Sequence, residues 1–134
     1  AILLLQFGPI QSQNSKVLYQ TLTPSEDLQD IQLSLADAFT VEHWSSNQLM
    51  IETRLEMWGA PESVLEHFIE EGRYEIMRDT TPSSWTFRTA QPERKTIQSG
   101  GLDCREDIQF IFYLPKQFAR QGQTNLYRRN GEGN

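Results

Sequence analysis

The stretch from Leu49 to Trp58 constrains this chain more than any other. Leu49, Ile51, Thr53, Leu55 and Met57 alternate with Met50, Glu52, Arg54 and Glu56. A strict period of two fits a half-buried β-strand and does not fit a helix. The polar set alternates in charge sign, as the solvated face of a sheet would.

The same alternation recurs along the chain. Val17, Tyr19 and Thr21 alternate with Leu18, Gln20 and Leu22, and a turn cluster follows at Thr23-Pro24-Ser25-Glu26-Asp27. Ile31, Leu33 and Leu35 form one more set. Asp37-Ala38 breaks the chain, and Phe39, Val41 and His43 read as the return strand of a hairpin. Tyr74 with Ile76, Trp85 with Phe87, and Thr96-Ile97-Gln98 follow. Ile108, Phe110, Phe112 and Leu114 share a face of the last strand. Ile111 and Tyr113 make its other face apolar too, so it reads as buried on both sides until Pro115 ends it. The period changes only once. Val64, Leu65, Phe68 and Ile69 form one stripe of a helix, with Pro61 in its first turn, Glu62 near its N-terminus and Gly72 as its stop.

This pattern predicts a mostly β fold of about seven or eight antiparallel strands, with one short helix packed on one face. At 134 residues the chain suits one domain. Residues 16–115 form the β-rich domain. Residues 1–15 read as a signal-like or partner-docking segment, with the apolar run of Ile2, Leu3, Leu4, Leu5 and Phe7 breaking at Gly8-Pro9. Residues 116–134 read as a polar tail, loosely packed unless a partner orders it.

Composition narrows the function classes. The net charge is -6 and the pI is near 4.9, the opposite of what phosphate neutralisation requires, so a nucleic-acid partner is not expected. No run approaches the roughly 20 apolar residues of a membrane helix. One cysteine and two histidines leave a poor ligand set for transition metals. No cofactor is expected.

Four fragments invite chemistry. Glu42 beside His43 suggests a general base, but adjacent strand residues point to opposite faces. Glu66 and Glu70 share a helix face around His67, without a zinc-binding spacing; the wet side of an amphipathic helix is the simpler reading. Asp103, Glu106 and Asp107 flank Cys104, an oxygen cluster that calcium would accept, though the spacing matches no EF-hand. Cys104 itself reads as an inert thiol, with crosslinking to a partner as the alternative. Trp44 and Trp58 fall at strand ends, where exposed indoles and neighbouring tyrosines would stack on a sugar or a partner. No nucleophile elbow and no phosphate loop is present.

One stretch is similar to a known family. Asp30-Ile31-Gln32-Leu33, Phe39-Thr40-Val41-Glu42-His43-Trp44 and Leu49-Met50-Ile51-Glu52-Thr53 lead through the helix to Gly72-Arg73-Tyr74-Glu75-Ile76. Glu106 to Pro115 then closes the set. This order resembles the opening module of adhesin domains of the auto-transporter head type in bacterial envelope proteins. In that family a stack of short β repeats follows, where this chain has its polar tail. The resemblance covers roughly 60% of the chain. It implies an entry module without the solenoid and supplies no catalytic residues.

Together these features lead to the expectation of a non-enzymatic exported module, in the periplasm, on the outer-membrane surface or outside the cell. It would act through contacts with other envelope proteins or with itself, as an accessory subunit of a larger assembly. The competing expectation is an extracellular ligand-binding module, carbohydrate first. The residues expected to make contacts are Trp44, Trp58, Ile2, Leu3, Leu4, Leu5 and Phe7.

Overall fold

The computed structural model describes residues 13–131. The expected contacts at Ile2, Leu3, Leu4, Leu5 and Phe7 lie outside the described residues. The fold is mostly β, with one helix and eleven strands among the described residues.

Four long strands build the first sheet: β1 (Gln13–Leu22), β3 (Phe39–Trp44), β4 (Leu49–Trp58) and β9 (Arg105–Pro115), in the order β1-β4-β9-β3. The second contains β2 (Asp30–Ser34), β5 (Ile76–Thr80), β6 (Ser84–Thr89), β10 (Phe118–Arg120) and β11 (Leu126–Arg129), in the order β10-β11-β2-β6-β5. A small hairpin joins β7 (Gln98–Ser99) to β8 (Leu102–Asp103).

The sheets are mixed. The β2–β6 and β3–β9 pairs run parallel, and the other pairings are antiparallel. The predicted hairpin between residues 31–35 and 39–44 is therefore not formed. At Asp37 the chain crosses between sheets, so β2 and β3 face each other across the core instead of pairing. Alternation records which face is buried but not which neighbour accepts the backbone bonds.

Inner faces of both sheets meet in one core. Leu49 and Ile51 from β4 and Phe110, Phe112 and Leu114 from β9 pack with Ile31, Leu33, Trp85, Phe87, Phe118 and Tyr127 from the second sheet. The tail expectation is corrected here. Phe118 and Tyr127 lie in the core, and residues 118–129 close the second sheet with a hairpin. Only Phe118, Leu126 and Tyr127 are large and apolar there, too few to show a period.

The first sheet overhangs the second. Strands β1, β4 and β9 have 10 or 11 residues, about 33 Å of chain at ~3.3 Å per residue, whereas β2 and β6 have 5 and 6. The helix α1 (Glu62–Glu70) and the segment 90–104 cover the overhang. Leu55 and Met57 pack there with Ala60, Leu65, Tyr74, Ile97 and Cys104. Gly72 ends the helix at φ +77°. Its N–H donates to Ile69 O and that of Arg73 to Phe68 O, each at 3.1 Å, a Schellman closure that favours glycine.

Two buried ion pairs fasten this cover. Arg73 donates to Glu106 through Nε (3.0 Å) and Nη2 (2.5 Å) and also to Lys95 O (2.7 Å), while Tyr74 Oη donates to Glu106 Oε2 (2.5 Å). Burial, then the bond to Glu106, pushes the Tyr74 phenol well above its usual range and keeps it a donor. Arg94 grips Asp37 with two bonds of 2.6 and 2.9 Å and donates to Arg73 O at 2.9 Å. The crossover at Asp37 is thus tied to the cover over the overhang.

Candidate functional site

Strand register decides which predicted site residues can act together. Trp44 lies opposite Pro115 and Trp58 opposite Arg105, both on the outer face of the first sheet. Ten residues of β9 separate those positions, about 33 Å at ~3.3 Å per residue. One sugar or one small contact cannot span both indoles. Trp58 carries the Arg105 guanidinium over its ring at 4.5 Å. Trp44 donates Nε1–H to Gln48 O at 2.8 Å and packs against Tyr113 with ring centroids 5.3 Å apart.

Around Trp44 the outer face is more apolar than the charge pattern of β4 suggested. Cross-strand register places Tyr19, Glu52, Ile111 and Thr40 in one row, with Met50, Tyr113 and Glu42 in the next. Glu52, expected to be solvated, is only 5% exposed. Tyr113 Oη donates to it at 3.2 Å and Arg54 Nε pairs with it, so neighbouring side chains replace its water. Burial, then the bond to Glu52, raises the Tyr113 phenol pKa and holds it as a donor. Tyr19, directly across from Glu52, is 64% exposed, and Val17 is 46% exposed.

Among the described residues, β1 is a free edge of its sheet and β5 a free edge of the other. Between them the sandwich stays open. A cleft of about 410 Å³ lies there, walled by Leu18 and Gln20 from β1, Ile51 and Thr53 from β4, Ile69 from α1, and Tyr74 and Ile76. Tyr19, Glu70, Gly72 and Glu75 complete its lining. Its size suits a few side chains or a small ligand. Leu18 and Gln20 face the cleft side of β1, while Val17 and Tyr19 face the outer side. A strand added at this edge would set alternate side chains on both surfaces.

The other predicted fragments are kept apart. Glu42 lies on the outer face beside Tyr113, whereas His43 points inward and donates Nε2–H to Phe118 O at 2.6 Å. Glu66 shares Lys16 with Glu62 at 3.4 and 3.0 Å, and Glu70 turns to the cleft. Asp103 accepts from Gln98 at 3.0 Å, Glu106 is taken by Arg73 and Tyr74, and Asp107 sits on the opposite face across from Glu56. No group of three His, Cys, Asp or Glu among the described residues is placed to hold a metal ion. Cys104 is buried, with its thiol 3.6 Å from Gly59 O.

The reading of isolated strands missed the cleft. Its walls come from residues 18 to 76, and only the pairing of β1 with β4 and the placing of α1 bring them together. No family model, curated protein or solved structure matches the chain. No helix of the described residues is long and apolar enough to cross a membrane.

Proposed function

We propose that this chain is a non-enzymatic exported module that acts through protein contacts, with the free edge of β1 and the adjoining cleft as its contact surface. The carrying observation is the ten-residue strand β1, an edge among the described residues, with exposed Val17 and Tyr19 on its outer side and Leu18 beside the open cleft. Unpaired edges of this length recruit strands from other chains unless they are blocked. Export is supported by the apolar run from Ala1 to Ile10 and by the resemblance to envelope adhesin modules.

A photo-crosslinking residue in place of Tyr19, in the cells that make the protein, tests the reading. Adducts to a second protein chain at position 19, absent when the probe replaces the exposed Glu93, are the expected result. Equal yields at both positions, or none at position 19, would sink it.

A carbohydrate-binding alternative has one observation in its favour, the Trp44–Tyr113 pair on the outer face. A glycan stacked there would shift tryptophan fluorescence, and Trp44→Ala would abolish the shift. A flat titration across a glycan panel would remove this alternative.

A further inference from the structure

Two stretches of opposite charge lie on either side of the five-stranded sheet, one running through α1 to the start of β5 and one at β10 and β11. Residues 62–75 hold Glu62, Glu66, Glu70, Glu71 and Glu75 against one Arg73, a net of -4. Residues 115–131 hold Lys116, Arg120, Arg128 and Arg129 and no carboxylate, a net of +4. The first group borders the cleft and β5. The second borders β10, at the far edge of the same sheet. Four strand spacings of ~4.8 Å separate β5 from β10, about 19 Å.

On each side some charges remain without an ion-pair partner among the described residues. Lys16 takes Glu62 and Glu66, and His67 faces Glu71. Glu70 and Glu75, both in the cleft lining, form no ion pair among the described residues. On the other side Arg128 pairs with Asp30 at 2.9 Å, and Arg129 donates to the carbonyls of Leu28 and Ser25. Arg120 reaches only the carbonyls of Thr124 and Gln123, and exposed Lys116 forms no ion pair among the described residues.

Resting on the contact surface proposed above, we propose that its occupant is a second copy of this chain. The β10–β11 edge of one copy seats at the β1–β5 cleft of the next, with Lys116 and Arg120 facing Glu70 and Glu75. The two surfaces differ and lie at opposite edges, so the contact is heterologous and each copy keeps a free end. Such contacts propagate into open chains or rings and do not stop at a two-fold dimer. The free charges of the two ends are opposite in sign, and ordinary salt screens attraction beyond about 8 Å, so the pairs form at close approach.

Sedimentation velocity of the full chain tests this. The weight-average mass is expected to rise above the 15.5 kDa monomer as concentration increases. Association should weaken about tenfold or more between 0.05 and 0.5 M NaCl. Glu70→Lys with Glu75→Lys should give monomers, and Lys116→Glu with Arg120→Glu should do the same. Mixing the two variants should restore assembly, because acidic clefts again meet basic edges. Circular dichroism checks folding, and Lys116→Glu alone replaces the second variant if loss of the Arg120 carbonyl bonds unfolds it.

A monomer at every concentration would overturn the proposal. So would association unmoved by both charge swaps, or a closed two-fold dimer. If the wild type stays monomeric while position 19 still crosslinks to a different protein, only the self-assembly inference falls. If position 19 crosslinks to nothing, the contact surface itself is wrong.

Discussion

Replacing Glu106 by alanine removes the carboxylate that pairs with the buried Arg73 guanidinium. The Arg73 side chain is 8% exposed and that of Glu106 15%, so little water is available to take over. The Arg73 guanidinium keeps Lys95 O and a position 5.2 Å from the Phe68 ring centroid, while Tyr74 loses its acceptor. Removing one member of a buried pair costs about 3–5 kcal/mol, and the retained contacts place this case near the lower end, about 3 kcal/mol. At roughly 2.1 cal/mol/K per residue, 134 residues unfold with about 0.28 kcal/mol/K. The Glu106→Ala variant should therefore melt about 11 °C below the wild type. Urea denaturation with a shared slope supplies the free energy independently. The double variant Arg73→Met/Glu106→Leu leaves no unpaired charge and should recover at least about half of the loss. A single variant that loses under about 1 kcal/mol, or a double variant worse than the single, would show that water serves the pair and that the cover is held by packing alone.

Other outcomes follow from the same cover. Tyr74→Phe should cost about 2 kcal/mol at pH 8, where the phenol donates to Glu106. Because folding raises the Tyr74 pKa above 10.0, its stabilising effect is whole below pH 10 and drains away as the pH climbs toward the folded value. The gap between Tyr74→Phe and wild type should thus close by about 2 kcal/mol by pH 11.5 in urea titrations; a constant gap would refute the linkage. Arg94→Lys can reach Asp37 with one bond at a time and loses the bond to Arg73 O, so a loss of about 1–2 kcal/mol is expected, against none if the fork is dispensable. Gly72→Ala should cost about 1 kcal/mol, since alanine resists φ +77°. Its Cβ would sit 2.9 Å from Glu75 Oε2, at the end of a flexible side chain that can move aside. An unchanged melting temperature would mean that the helix end has shifted.

Local pattern carried the fold class because side-chain period is a property of each strand on its own. Leu49 to Met57 alternate in the sequence and point to one buried face in the structure, and Val64, Leu65, Phe68 and Ile69 lie on α1 as their spacing implies. Pairing is a relation between distant segments, and there the reading failed. Nothing between Ile31 and Trp44 distinguishes a hairpin from a crossover. That choice is made by Phe110, Phe112 and Leu114, which take β3 as a parallel neighbour, and by Trp85 and Phe87, which take β2. Glu52 was misread for the same reason, since its burial depends on Tyr19 and Tyr113 from two other strands. The contact surface lay further from view, because an edge is defined by the absence of a neighbour. Its charges were visible as residues, yet the five carboxylates from Glu62 to Glu75 and the four cations from Lys116 to Arg129 become opposite poles only when β5 and β10 end the same sheet. A shuffle of these charges that preserved composition and every strand period would leave the fold legible and abolish the poles, so the assembly proposed here depends on sheet order more than on any local motif.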